Sequence, residues 1–205
     1  MDLEEAIRTR RSTKSFRSNR PVTDAMLRRL FDLVRQSPTS YNLQHQRFVV
    51  VRDRGRRQQL MEASYGQRHV GEAPCVVVVA AWLDAHTEAA RANGHAPKEV
   101  LDRLVPFIER SYGGKPQLQR DEAIRSASLA SMTLMLVATA EGLATCPMIG
   151  FEPAKVCEIA GLDDRHVPVM LIVLGYAGDG QPFPTSRFPL AESVKLETLG
   201  GKGLA

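Results

Sequence analysis

The sequence predicts one domain in which helices pack around a sheet buried on both faces. Three observations carry that expectation. Arg47-Phe-Val-Val-Val51, Cys75-Val-Val-Val-Val-Ala-Ala81 and Pro168-Val-Met-Leu-Ile-Val-Leu-Gly175 are continuous, largely β-branched apolar runs, the pattern of strands covered on both sides. Helical patterns separate them, the longest from Asp121 to Glu141. At 205 residues, 43% hydrophobic and 24% charged, the chain has the size and balance of one ordinary globular domain with a real core.

Asp2 and Glu5 have the spacing of a capping box, and Leu3, Ala6 and Ile7 then share one helical face. This helix runs into Arg8-Thr-Arg-Arg-Ser-Thr-Lys-Ser-Phe16, which reads equally as a solvated charge run and as an anion site of arginine forks and serine hydroxyls. Thr23 caps a second helix, with Val22 and Leu27 at the positions of a hydrophobic staple; Met26, Leu27, Leu30, Phe31 and Val34 form its buried face, and it ends before Pro38. Next comes Ser37-Pro-Thr-Ser-Tyr-Asn-Leu-Gln-His-Gln-Arg-Phe48, rich in hydrogen-bonding side chains. By itself it reads first as an ordinary polar turn and second as a loop reading the polar edge of a planar ligand. Arg54 to Ala63 reads as a polar helix and Ser64 to Gly71 as a loop or short helix.

Asp84 to Asn93 and Lys98 to Arg110 look helical, with a turn over Ser111 to Pro116; the segment 84–120 has the mixed polarity of an inserted cover. The long helix from Asp121 is interrupted by Ser126, Ser128, Ser131, Thr133 and Thr139, so it suits a buried core helix better than a membrane span, and Gly142 sits at its C′ position. Pro153 and Gly161 bracket a short helix. After Gly180 the tail, with Pro182, Pro184 and Pro189, reads as an extended arm over about 180–205.

A net charge of +4 is too small to argue for nucleic acid. Cys75, Cys146 and Cys157 are far apart and odd in number, the usage of a reduced, cytoplasmic protein, and the acidic N-terminus lacks the apolar run of a signal peptide. The five histidines show no metal spacing and read as surface or loop residues; Cys146 reads as a buried structural thiol. Gly175-Tyr-Ala-Gly-Asp-Gly180 follows a strand but has the wrong pattern for a dinucleotide turn and no helix after it. No Ser-His-Asp set or carboxylate pair stands out, so chemistry in this chain points to a cofactor.

Four separated motifs, in order, resemble the nitroreductase family of FMN-dependent flavoproteins: Arg10-Arg-Ser-Thr-Lys-Ser-Phe16, the 37–48 loop, Thr145-Cys-Pro-Met-Ile-Gly-Phe151, and Gly175-Tyr176 followed by Arg187-Phe-Pro-Leu190. The likeness spans nearly the whole chain and is greatest to the small bacterial NAD(P)H-dependent nitro/quinone reductases. It implies an α+β fold with a central mixed sheet flanked by helices, a single FMN-binding domain over 1–205, and an intertwined homodimer with exchanged C-terminal arms and FMN at the interface. Arg10, Arg11, Ser12 and Lys14 match flavin ligands, Arg10 sharing the phosphate with Arg187; Pro38, Thr39, Ser40 and Asn42 would come from the partner. Pro147, Met148, Ile149 and Gly150 would line the ring, Gln67 is carried over weakly and His69 less, and Phe107 and Tyr112 are either substrate-stacking or local core residues.

Three positions depart from some relatives: Thr185 stands where they have a second basic residue, Gly66-Gln-Arg-His69 where they have Asn and Lys, and Ile149 where they are acidic. The implied reaction moves a hydride from NADH or NADPH through the flavin to a quinone or nitroaromatic by a ping-pong mechanism, with flavin N5 and no side chain as the reacting centre, and without metal, membrane or nucleic acid. The competing readings are the same fold with flavin fragmentation, dehalogenation or azoline oxidation, and a non-enzymatic basic binding protein.

Overall fold

The computed structural model describes residues 1–180 and 185–204. Four strands, β1 (Gln46–Val51), β2 (Cys75–Trp82), β3 (Ala144–Met148) and β4 (His166–Gly175), form a sheet in the order β1-β2-β4-β3. All three ladders are antiparallel, and the one parallel pairing among the described residues is the isolated bridge between Ser12 and Thr145. The mixed sheet expected is therefore antiparallel within its ladders. The 145–151 motif has no element assigned from sequence; Pro147 within β3 is tolerated because β3 is an edge strand, where a missing N–H costs no ladder bond.

Both-face burial is visible within β2. Cys75, Val77, Val79 and Ala81 point into one core with Leu27, Leu30 and Val34 of α2 (Asp24–Val34), while Val76 and Val78 point into another. The first core is completed by Ala123, Ala127, Ala130 and Leu134 of a 25-residue helix, and the second by Leu60 and Val156 from helices on the opposite face. Each such fully buried Val or Leu contributes about 1.5–3 kcal/mol.

Local signals fix the ends of these elements. α1 (Leu3–Thr9) is capped by Asp2, whose carboxylate accepts the Glu5 N–H at 2.8 Å, and α2 by Thr23, whose hydroxyl accepts the Met26 N–H at 3.2 Å. Of the face expected on α1 only Ala6 is buried; Leu3 and Ile7 are exposed. α3 (Arg54–Ala63) matches its expected range, and α4 (Arg68–Glu72) is the short helix after it. The cover consists of a 3-10 turn (Ala85–Glu88), α5 (Ala89–Ala92) and α6 (Lys98–Tyr112). α7 (Pro116–Ala140) starts five residues earlier than its pattern because Pro116 occupies the first turn, where proline is tolerated, so the expected 84–120 cover overlaps the core helix. α7 is long and apolar enough to cross a membrane by length and composition, yet it buries eight residues in the protein.

α8 (Pro153–Ala160) ends at Gly161 with φ +66, the left-handed position glycine takes without strain. Gly175 is needed for a different reason: a Cβ there would lie 2.5 Å from the Pro74 ring. In the tail, α9 (Leu190–Ser193) and a bridge from Lys195 to Gly203 replace the fully extended arm; Pro182 and Pro184 lie outside the described residues.

Candidate functional site

Residues 10–16 leave the end of α1 and run beside β3. The Thr13 N–H donates to the Thr145 carbonyl at 2.9 Å, and Phe16 pairs with Ala177. In extended chain alternate residues share a face. Thr13 is accordingly buried, while Ser12 and Lys14 are exposed on the same side as half-buried Arg10. One guanidinium nitrogen of Arg10 is enclosed without a hydrogen-bond partner, as is the Thr145 hydroxyl. Among the described residues, no carboxylate lies within ion-pair distance of Arg10 or Lys14. Cys146 lies alongside: burial pushes its thiol up, against the opposing pull of Lys14 and then Arg10. It is 4% exposed, so it is the structural thiol expected.

The β3 end supplies a shelf. Pro147 and Met148 are half-buried, and Ile149 and Gly150 project into solvent, Ile149 being 78% exposed. Gln67, just before α4, donates from its amide to the Gly150 carbonyl at 3.3 Å. His69 sits on α4 at 6% exposure, its Nε2 enclosed without a partner, and burial followed by the charge of Lys14 lowers its pKa. Arg10, Ser12, Lys14, Gln67 and residues 147–150 thus border one surface that offers two cations, a hydroxyl and an apolar platform. Two other candidates do not join it through their side chains. Arg11 folds back and donates to the Arg8 and Arg10 carbonyls at 2.6 and 2.8 Å, closing the end of α1, and Arg187 hydrogen-bonds to its neighbours Thr185 and Ser186.

The 37–48 loop is a different construction. The Thr39 hydroxyl accepts the Gln44 N–H at 3.0 Å, Ser40 shares a hydrogen with the Tyr112 hydroxyl at 2.8 Å, and Asn42 donates to the Ala92 carbonyl at 2.8 Å. Three side chains expected to read a ligand are therefore each engaged in one hydrogen bond to this chain's own atoms, with further donor or acceptor capacity left over. Pro38 is exposed. The backbone is left-handed at Tyr41 (φ 48), Asn42 (φ 56) and Gln44 (φ 52), a conformation that costs a non-glycine residue about 1–2 kcal/mol.

The cover settles the two aromatic candidates differently. Tyr112 is 6% exposed and packed with Leu43, Ala85, Ala89 and Ile108, so it is the local core residue of the two alternatives. Phe107 is exposed and meets the Tyr41 ring edge-on at 6.0 Å. Between them a cavity of about 570 Å³ opens, walled by Tyr41, Val100, Leu104 and Phe107 and rimmed by Glu99 and Arg103.

Of the five histidines expected at the surface or in loops, three are buried. His45, His69 and His86 are 2%, 6% and 9% exposed, each with an enclosed ring nitrogen lacking a partner; only His95 and His166 reach solvent. Burial pushes the His45 pKa down to about 4, against the opposing pull of Glu122. Asn93, which no sequence signal singled out, is also buried and donates to the Tyr41 and Ala89 carbonyls, both at 3.0 Å. Among the described residues no group of His, Cys, Asp and Glu could hold a metal ion.

The profile of the nitroreductase family matches residues 7–176, from the last turns of α1 to just past β4. The chain belongs to the nitroreductase family. Protein DrgA of Synechocystis is 40% identical over 89% of this chain and 87% of its own length. The putative NAD(P)H nitroreductase MhqN of Bacillus subtilis is 36% identical over 85% of this chain and 88% of its own. A putative nitroreductase from Exiguobacterium sibiricum, solved in complex with FMN, superposes with a TM-score of 0.87 at 30% identity over 96% of this chain and 98% of that one. In this nitroreductase the family match spans the Arg10–Phe16 strip, the loop and β3, and stops before the tail that carries Arg187.

Proposed function

We propose that this nitroreductase is an NAD(P)H-dependent, FMN-containing oxidoreductase that passes reducing equivalents to a quinone or nitroaromatic in two half-reactions. The observation that carries the reading is the enclosed, unpartnered guanidinium nitrogen of Arg10 beside Lys14 and Ser12. Buried donors are rarely left unsatisfied, and each costs about 1–3 kcal/mol until a partner arrives. A phosphate dianion on a planar, apolar ring system supplies that partner and matches the 147–150 shelf.

Arg10 would hold the phosphate, with Arg187 of the tail as a second cation. Ser12 would donate to the sugar-alcohol chain, and Lys14 would place its ammonium where negative charge on the cofactor needs it. Pro147, Met148, Ile149 and Gly150, the last braced by Gln67 at 3.3 Å, would form the apolar support for the ring. When bound, FMN would supply hydride-transfer chemistry between the nicotinamide nucleotide and the oxidant. Phe107 and Tyr41 form the apolar wall against which a flat oxidant stacks.

The active unit is a homodimer in which the 37–48 loop of one protomer completes the site of the other. Leu3 and Ile7 of α1 and Leu129 and Met132 of α7 support this: they leave an apolar surface exposed on two helices that pack together. An anaerobic absorbance titration tests the function. Bleaching by NADH or NADPH, then recovery on adding a quinone, is the expected result. A yellow protein that neither nucleotide bleaches would sink the reductase reading, and a chain that cannot be loaded with FMN would sink the cofactor as well.

A further inference from the structure

The cover and the polar loop are joined by three side-chain hydrogen bonds: Asn42 to the Ala92 carbonyl, Ser40 to the Tyr112 hydroxyl, and Asn93 to the Tyr41 carbonyl. Asn93 differs from the other two. It is buried, belongs to the cover alone, and its amide nitrogen serves two carbonyls, one in each segment. The carbonyl it grips belongs to Tyr41, the first of the three left-handed residues. A backbone conformation that non-glycine residues rarely adopt persists only where its surroundings over-determine it. Asn93 is well placed to do this, 52 residues away in sequence. Tyr41 also walls the cavity beside Phe107, so one clamp fixes a cofactor loop and one side of a substrate cavity.

We propose that Asn93 is a positioning residue: it holds the 40–44 segment in its left-handed conformation and thereby sets both FMN affinity and the shape of the oxidant cavity. The inference rests on the reading of the loop as part of the flavin site. Asn93 itself touches neither flavin nor oxidant. A cover residue therefore governs a site built from other elements, and exchanging the cover changes cofactor affinity together with oxidant preference.

The test uses the full-length chain with Asn93→Ala, Tyr112→Phe and Gln44→Gly, singly and combined. In Asn93→Ala the FMN Kd, read by quenching of flavin fluorescence, rises about fivefold to tenfold, and KM for the oxidant rises more than kcat falls. Amide exchange over residues 40–45, which needs no flavin, speeds up. Tyr112→Phe removes a single bond while keeping the ring, and raises Kd about twofold to threefold. Gln44→Gly removes one left-handed penalty and keeps the Thr39 bond to its backbone, at the loss only of the exposed 3.2 Å bond from its own amide to the Asn42 carbonyl, so in the Asn93→Ala background it restores at least half of the lost affinity on a logarithmic scale.

A purely structural Asn93 would lower the unfolding midpoint but leave Kd, the KM-to-kcat split and loop exchange unchanged; that result overturns the inference, as does a loss that Gln44→Gly fails to recover. Should Asn93→Ala not fold, Tyr112→Phe with and without Gln44→Gly decides by the same readouts. A wild-type chain without FMN affinity overturns the functional reading alone, and amide exchange then decides whether Asn93 positions the loop.

Discussion

The Arg10–Phe16 strip and the 37–48 loop are both polar, both border an apolar element, and look alike as strings of residues. Their hydrogen bonds differ. In the strip, Arg10 has an enclosed nitrogen without a partner, and its charge and that of Lys14 face no carboxylate among the described residues. In the loop, Thr39, Ser40 and Asn42 are each already bonded to the protein. In the proposed site a ligand would meet waiting side chains in the first region and a pre-shaped backbone in the second. A polar side chain can therefore serve a site either by touching a ligand or by fixing the main chain that does. Only the tally of donors and acceptors separates the two roles.

Exchanging the charge in the strip gives the largest effect. Arg10→Ala loses charge-assisted bonds worth about 1.5–3 kcal/mol each, so FMN affinity falls by about 100-fold while the midpoint of the flavin-free chain stays level or rises. Fluorescence titration and thermal unfolding, run side by side, check both halves; an Arg10→Ala chain that keeps its affinity would erase the distinction between the regions.

Acid separates the regions next. His45 precedes the first strand, at the buried end of the loop, and its folded pKa of about 4 lies below the ordinary 6.5. Between those values the unfolded chain holds the extra proton, so the stabilisation is complete above about pH 6.5 and is lost as pH falls toward 4. The expected loss is about 2–3 kcal/mol, and His45→Gln flattens that part of the profile in chemical unfolding.

A smaller effect sharpens the loop's side of the contrast. Asn42→Ala loses the bond to Ala92 and places a poor residue at φ 56, costing the flavin-free chain about 2 kcal/mol; Asn42→Gly loses only the bond and costs about 1 kcal/mol. If glycine proves no better than alanine in urea unfolding, the loop is not strained. Smallest of all, Ser12→Ala weakens FMN binding about threefold to tenfold at unchanged stability, and Arg11→Ala changes affinity less than twofold, because its guanidinium is spent on the end of α1.

Much of the scaffold was legible before any coordinates. Thr23 and Asp2 as caps, Gly161 and Gly142 as helix ends, and the valine runs as double-faced strands all rest on contacts within a few residues or on periodicity. β3 had no element assigned from sequence, and only the sheet order reveals that this strand lies at an edge, where Pro147 is tolerated. The candidate site was half legible. Arg10, Ser12 and Lys14 were legible only through the family resemblance of the Arg10–Phe16 motif, whereas the commitments of Ser40 and Asn42 span 72 and 50 residues and leave no local pattern.

The sequence by itself determined most helix caps, the three valine-rich strands and the family, because each depends on short-range geometry or on motifs of neighbouring residues. The tertiary structure alone decided which polar groups are free: that His45, His69 and His86 are buried, that Tyr112 is core while Phe107 is exposed, and that Asn93 grips the loop. Whether a donor is satisfied depends on what folds against it, and those partners lie tens of residues away.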